Sequence, residues 1–146
     1  MTTTSADNLV TRLRPVVLRA KWPHGWKLPP KAFEPAPIAY LIGYLEAGAG
    51  QHVDAKSPEW RILAAGFVGE LLGEEGRAKV NEAFDALEVG EEQALNAYEL
   101  GCDEALADST RSTSDPSAST WGSLLYLDIV PERRAAALYS YSRPRR

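Results

Sequence analysis

Cysteine, histidine and methionine are nearly missing from this chain of 146 residues, which holds one Cys, two His and one Met. The lone Cys102 rules out a disulfide within the chain and leaves no basis for a thiolate zinc cluster. His24 and His52 are isolated from each other, and neither Glu-x-x-His nor His-Glu-x-x-His occurs. The helical signatures of di-iron and zinc chemistry are therefore lacking. Glycine is present, but not in phosphate-binding order: Gly43 to Gly50 has no Walker spacing, and Gly66-x-x-Gly69 falls inside a predicted helix. No cofactor and no metal are expected. Long apolar runs are also missing. Ile38–Leu45 and Ile62–Leu72 are broken by glycine or charge and fall well short of the roughly 20 residues a bilayer demands. The opening MTTTSADNLV has neither the charged nor the apolar region of a signal peptide. A soluble cytoplasmic protein is the expectation. No internal repeat is apparent.

What the chain does have is charge sorted by position. Residues 1–34 hold six Lys/Arg against Asp7 and Glu34, about +4. Residues 35–108 hold four basic residues against fifteen acidic ones, about −11, and residues 109–146 return to about +3. Such asymmetry speaks of fields and partners rather than of fold. A pI near 5.2 argues against direct nucleic-acid binding despite the basic ends.

Periodicity predicts an all-α single domain, residues 1–146, of five or six short helices. The first starts near Ser5 with Leu9, Val10, Leu13, Val16 and Val17 on one face, and Pro15 predicts a kink or an early stop near Leu13. Prolines from Pro23 to Pro35 predict an extended arm over residues 21–36, carrying Trp22, Trp26 and Phe33. A second helix fits 37–47. A third, Pro58 to Leu72, has Ser57 as N-cap, Pro58 at its first position and Gly73 as its stop, and is expected to be the most buried element. A fourth fits 74–88 and a fifth 91–107, with Leu95, Tyr98, Cys102 and Leu106 on one stripe. Residues 109–120 read as a mobile polar loop and 142–146 as a frayed tail. Residues 121–142 fit a helix or strands, so a small α+β fold with a C-terminal hairpin is the alternative.

Two surface features follow. Glu75, Glu82, Asp85, Glu92, Glu99 and Asp103 are expected to point outward as an anionic helical face, either merely solvated or docking a basic partner. Trp22 and Trp26 either fold back over the core or stand ready for a partner, because an indole joins large apolar area to a polar N–H. Cys102 is expected to be a buried small hydrophobe. Three readings result. The first is a non-enzymatic interaction module, an inhibitor, chaperone or adaptor, that meets another protein with a basic surface. The second is a small-ligand binder or small enzyme with an aromatic pocket near Trp60, Trp121 and the Tyr residues. The third is a structural subunit that pairs with copies of itself.

Overall fold

The computed structural model describes residues 6–22, 25–49, 58–109 and 119–126. Among them every regular element is helical: α1 (Ala6–Lys21), a 3-10 turn (Pro30–Phe33), α2 (Pro35–Ala49), α3 (Pro58–Ala78), α4 (Val80–Glu88), α5 (Glu92–Ser109) and α6 (Ser119–Leu124). The fold is all-α, as the periodicity requires. The alternative hairpin over 121–142 is overturned at its start, where Trp121–Leu124 is helical; its remainder beyond Tyr126, the tail 142–146, most of the polar loop, and both histidines lie outside the described residues.

Helix α2 sits at the centre. Over its 15 residues it carries one ionisable acid, Glu46, and a helix that is apolar all round has no solvent face to offer. Every residue from Pro37 to Gly48 is buried, and the helix is contacted by α1, α3, α4, α5, α6 and the 3-10 turn. This corrects the expectation that α3 is the most buried element. Helix α3 buries Trp60, Ala64, Phe67, Val68, Leu71 and Leu72 but leaves Ile62 and Leu63 exposed on its outer side.

Helix α1 also departs from expectation, since it runs unbroken through Pro15 to Lys21. Proline costs an interior helix position about 3 kcal/mol. Here Pro15 and Thr11, whose carbonyl loses its partner, are both on the exposed side, where water can serve. Against that cost stand Leu9, Val10, Leu13, Val16, Val17 and Ala20, buried on both sides of the proline. Larger aliphatic side chains contribute about 1.5–3 kcal/mol each on full burial, so packing wins. Gly73 does stop the straight run of α3: its φ of 82° and ψ of −173° are non-helical, a backbone state open chiefly to glycine. The chain folds back there, bringing Arg77 beside Gly69, and the predicted helix over 74–88 is consequently split at Lys79.

The α2–α5 pair is the tightest contact in the molecule, and glycine sets it. A Cβ on Gly43 would lie 2.2 Å from the Tyr98 carbonyl oxygen, and one on Gly101 would lie 2.1 Å from that of Tyr40. Only bare backbone fits at either place. The two contacts are reciprocal, and so is the sequence around them: Ala39-Tyr40-x-x-Gly43-x-x-Glu46 in α2 and Ala97-Tyr98-x-x-Gly101-x-x-Glu104 in α5. Each motif is followed by Trp-x-x-Leu, at Trp60 and at Trp121, and both tryptophans are buried. An internal repeat is thus present, which corrects the expectation of none. Its two copies pack antiparallel about a local pseudo-twofold, each placing its glycine under the other's tyrosine.

Candidate functional site

Along the α2–α5 seam the repeat builds a layer of tyrosine–carboxylate pairs. Tyr40 donates to Glu104 Oε1 at 2.5 Å, Tyr98 donates to Glu46 Oε2, and Tyr44 donates to Asp108 Oδ2 at 2.6 Å. Glu46, Glu99, Glu104 and Asp108 are all buried. A buried carboxyl without a partner is costly, and a phenol donating to it relieves part of that cost. Tyr40 and Tyr44 stack with ring centroids 6.1 Å apart, and Arg12 reaches the Tyr44 hydroxyl at 3.4 Å. Cys102 donates its thiol to the Gly43 carbonyl at 3.4 Å.

Burial in this layer favours the neutral forms of Tyr40, Tyr44, Glu46 and Cys102. Burial pushes the Tyr40 phenol well above its usual range, with Glu104 adding to the effect. Burial, then the bond to Asp108, raises that of Tyr44. Burial lifts Glu46 to about 8. The Cys102 thiol is raised by burial first, then by Glu46, Asp103 and Glu99, the opposite of what a nucleophile needs. A carboxyl that keeps its proton near neutrality is what acid–base catalysis selects, but Glu46 is 7% exposed and lies against Tyr98. The layer is placed to fix the two helices rather than to meet a substrate. Trp60 and Trp121 are core residues too, the latter donating Nε1–H to the Pro37 carbonyl at 3.1 Å. Among the described residues no group of three or more His, Cys, Asp or Glu is placed to hold a metal ion, and no helix is long and apolar enough to cross a membrane.

The expected anionic face is therefore smaller than its sequence suggests. Glu99 does not point outward: it is 2% exposed, because its stretch of α5 is buried all round rather than on one stripe. Asp103 is half-buried. Glu75, Glu82, Asp85 and Glu92 are exposed as expected. Two of these have cationic neighbours, Lys79 at 3.1 Å from Glu82 and Arg61 at 3.7 Å from Asp85, and Arg61 also reaches Glu88 at 2.7 Å and stacks over Phe84. The wetter pairs, Lys79–Glu82 and Arg61–Asp85, contribute about 0–1 kcal/mol each. Among the described residues the densest anionic ground is where α4 ends and α5 begins, with Asp85, Glu88, Glu91 and Glu92 around Val89, there the most exposed of the large apolar residues at 81%. Glu91 has a local duty as well, capping α5 by accepting from the Gln93 and Ala94 amides.

The tryptophans of the arm are on the surface. Trp22 is 67% and Trp26 59% exposed. Thr11, Pro15, Leu18 and Trp22 recur at helical spacing along the exposed side of α1, which ends as a partly apolar stripe. Arg19, Lys21, Lys27 and Lys31 flank this end. The Trp26 amide donates back to the Lys21 carbonyl at 3.0 Å, while Gly25 and Trp26 both have left-handed backbone, φ 66° and 68°. For a bulky residue that conformation costs about 1–2 kcal/mol, so an exposed indole is held up at some expense. Beyond it Pro30–Phe33 forms a 3-10 turn that buries Ala32, a tighter path than a fully extended arm. No family model matches the chain, and no curated protein or solved structure matches it.

Proposed function

We propose that the protein is a non-catalytic protein-docking module of the inhibitor, chaperone or adaptor kind. The observation that carries this reading is the exposure of Trp22 and Trp26 beside Leu18, at the end of a helix whose opposite face buries Leu9, Val10, Leu13, Val16, Val17 and Ala20. Indoles dominate the energetics of protein interfaces when a partner desolvates them. The burial of the titratable and thiol groups against one another supports the same reading, since it leaves the surface rather than an interior pocket as the chemically available part. The partner's chemistry follows from the acidic ground of α4 and α5: a protein with a basic surface, drawn in by Asp85, Glu88 and Glu92, with apolar anchoring by exposed side chains.

Capture of partners from native lysate, repeated at high salt, tests it. Trp22→Ala with Trp26→Ala should speed dissociation, Glu82→Lys with Asp85→Lys should slow association, and both double variants should keep the wild-type melting temperature. Capture that ignores salt and both double variants would refute the reading.

A further inference from the structure

The two exposed ends of the molecule are chemically opposite, and each suits the other. Around Trp22 the ground is apolar and net cationic: Leu18, Trp22 and Trp26, with Arg19 and Lys27 exposed beside them against one exposed acid, Glu34, at the same end. Around Val89 it is apolar and anionic: Asp85, Glu88, Glu91 and Glu92. Helix α2 serves as a ruler for their separation. Leu9 lies under Gly48 and Arg12 meets Tyr44, so α1 runs antiparallel to α2 and Trp22 comes level with Pro35. The Tyr98 backbone lies against Gly43, so Glu92 lies six residues beyond the level of Gly43. The poles are thus some fourteen residues of helical rise apart, roughly 20 Å, at opposite ends of the bundle. One copy cannot bring them together.

We propose that the occupant of the anionic pole is the Trp22 pole of a second copy of this chain. The contact is head-to-tail. It pairs unlike surfaces, so each added copy leaves one pole of each kind open, and the assembly closes into a ring or extends as a chain. Charge complementarity brings the poles together, and the indoles seated against Val89 provide the anchoring. The Arg61 pairs with Asp85 and Glu88 leave Glu92 and the outer edge of Asp85 facing the incoming cations. This inference rests on the docking-module reading and names its partner.

Two single variants and their mixture test it, using the full chain. Trp22→Glu puts an acid in the cationic pole, and Val89→Lys puts a cation in the anionic one. Both positions are exposed, so circular dichroism and melting temperature should match wild type, which separates lost docking from lost folding. In sedimentation velocity, wild type should grow in mass with concentration at low salt, and association should weaken as salt screens the poles. Each variant alone should associate at least about 30-fold more weakly, the loss expected of an interface hot spot. The decisive sample is the mixture. Each variant keeps one intact pole, so together they should form a 1:1 heterodimer that grows no further. A wild type that stays monomeric at low salt and high concentration overturns the proposal, as does an assembly that both variants leave intact. The broader reading fails separately. If wild type is monomeric yet Trp22→Glu and Val89→Lys abolish salt-sensitive capture of a basic protein from lysate, the poles dock a foreign protein; if they do not, both ideas fall.

Discussion

Glu46 should make this protein less stable as pH rises through neutrality, the reverse of the common acid-denaturation pattern. Its carboxyl is pushed up from 4.5 to about 8 in the folded state by burial, and it is 7% exposed on the most enclosed helix. Between those two pH values the folded state holds a proton that the unfolded chain releases. Stability therefore falls with rising pH across that window and levels off above about 8, where the group is ionised in both states. A shift of this size sets a ceiling of roughly 5 kcal/mol, and relaxation of the seam with water entry lowers what is realised to about 2–4 kcal/mol. Glu46→Gln keeps the shape and the acceptor for Tyr98 but cannot ionise.

Urea unfolding of wild type and Glu46→Gln, followed by far-ultraviolet circular dichroism from pH 5 to pH 9, isolates the effect, because every other titrating group is common to both curves. The difference in unfolding free energy, wild type minus variant, should drop by about 2–4 kcal/mol between pH 5 and pH 8.5. Tyr98→Phe removes the donor that favours the carboxylate, so the decline should continue to higher pH in that background. A difference curve flat to within about 0.5 kcal/mol would mean that Glu46 is solvated or already charged in the folded protein, and the account of the α2–α5 seam would have to be withdrawn.

Gly43→Ala and Gly101→Ala should each cost about 2–4 kcal/mol in chemical denaturation, because a methyl group would press on a neighbouring helix's backbone. Gly66→Ala, where a Cβ meets nothing within 4 Å, should instead gain about 0.5–1 kcal/mol; equal effects at all three sites would show that the close helix crossing is absent. Phe67→Ala should cost about 3–5 kcal/mol and Ile62→Ala, at a 70% exposed position, no more than about 0.5 kcal/mol. A loss below about 1 kcal/mol at Phe67 would require α3 to be repositioned. Cys102, fully buried and with its thiol pushed up, should react with a disulfide reagent only as fast as the protein unfolds. Complete labelling of native protein within minutes would contradict its placement.

The helices were legible in the sequence because their signals are local. Pro58 opens α3, Gly73 breaks it, and Gly90 precedes the Glu91 cap of α5; each is a statement about one turn of backbone. Pro15 misled because its cost is local while the compensation, burial of the whole α1 face, depends on neighbours the sequence does not name. Glu99 misled for a related reason. Acid on a helix reads as solvent-facing, yet α5 packs against α2, the chain's central helix, so Glu99, Glu104 and Asp108 go inside, where Tyr40 and Tyr44 bond the last two. Part of the −11 between residues 35 and 108 is thus an interior property and never reaches a partner. The clue was present in the paired Ala-Tyr-x-x-Gly-x-x-Glu segments, 58 residues apart, but it lies outside the fixed short periods by which solenoid repeats are found. Its meaning is pairwise: glycine and tyrosine in one copy make sense only against the other. Once those acids are assigned to the seam, the exposed acids are spread along α3, α4 and the start of α5, with Asp85, Glu88, Glu91 and Glu92 grouped at the α4–α5 end, opposite the tryptophans. The molecule thus has two unlike ends, one of them acidic, and that polarity is what a head-to-tail contact would use.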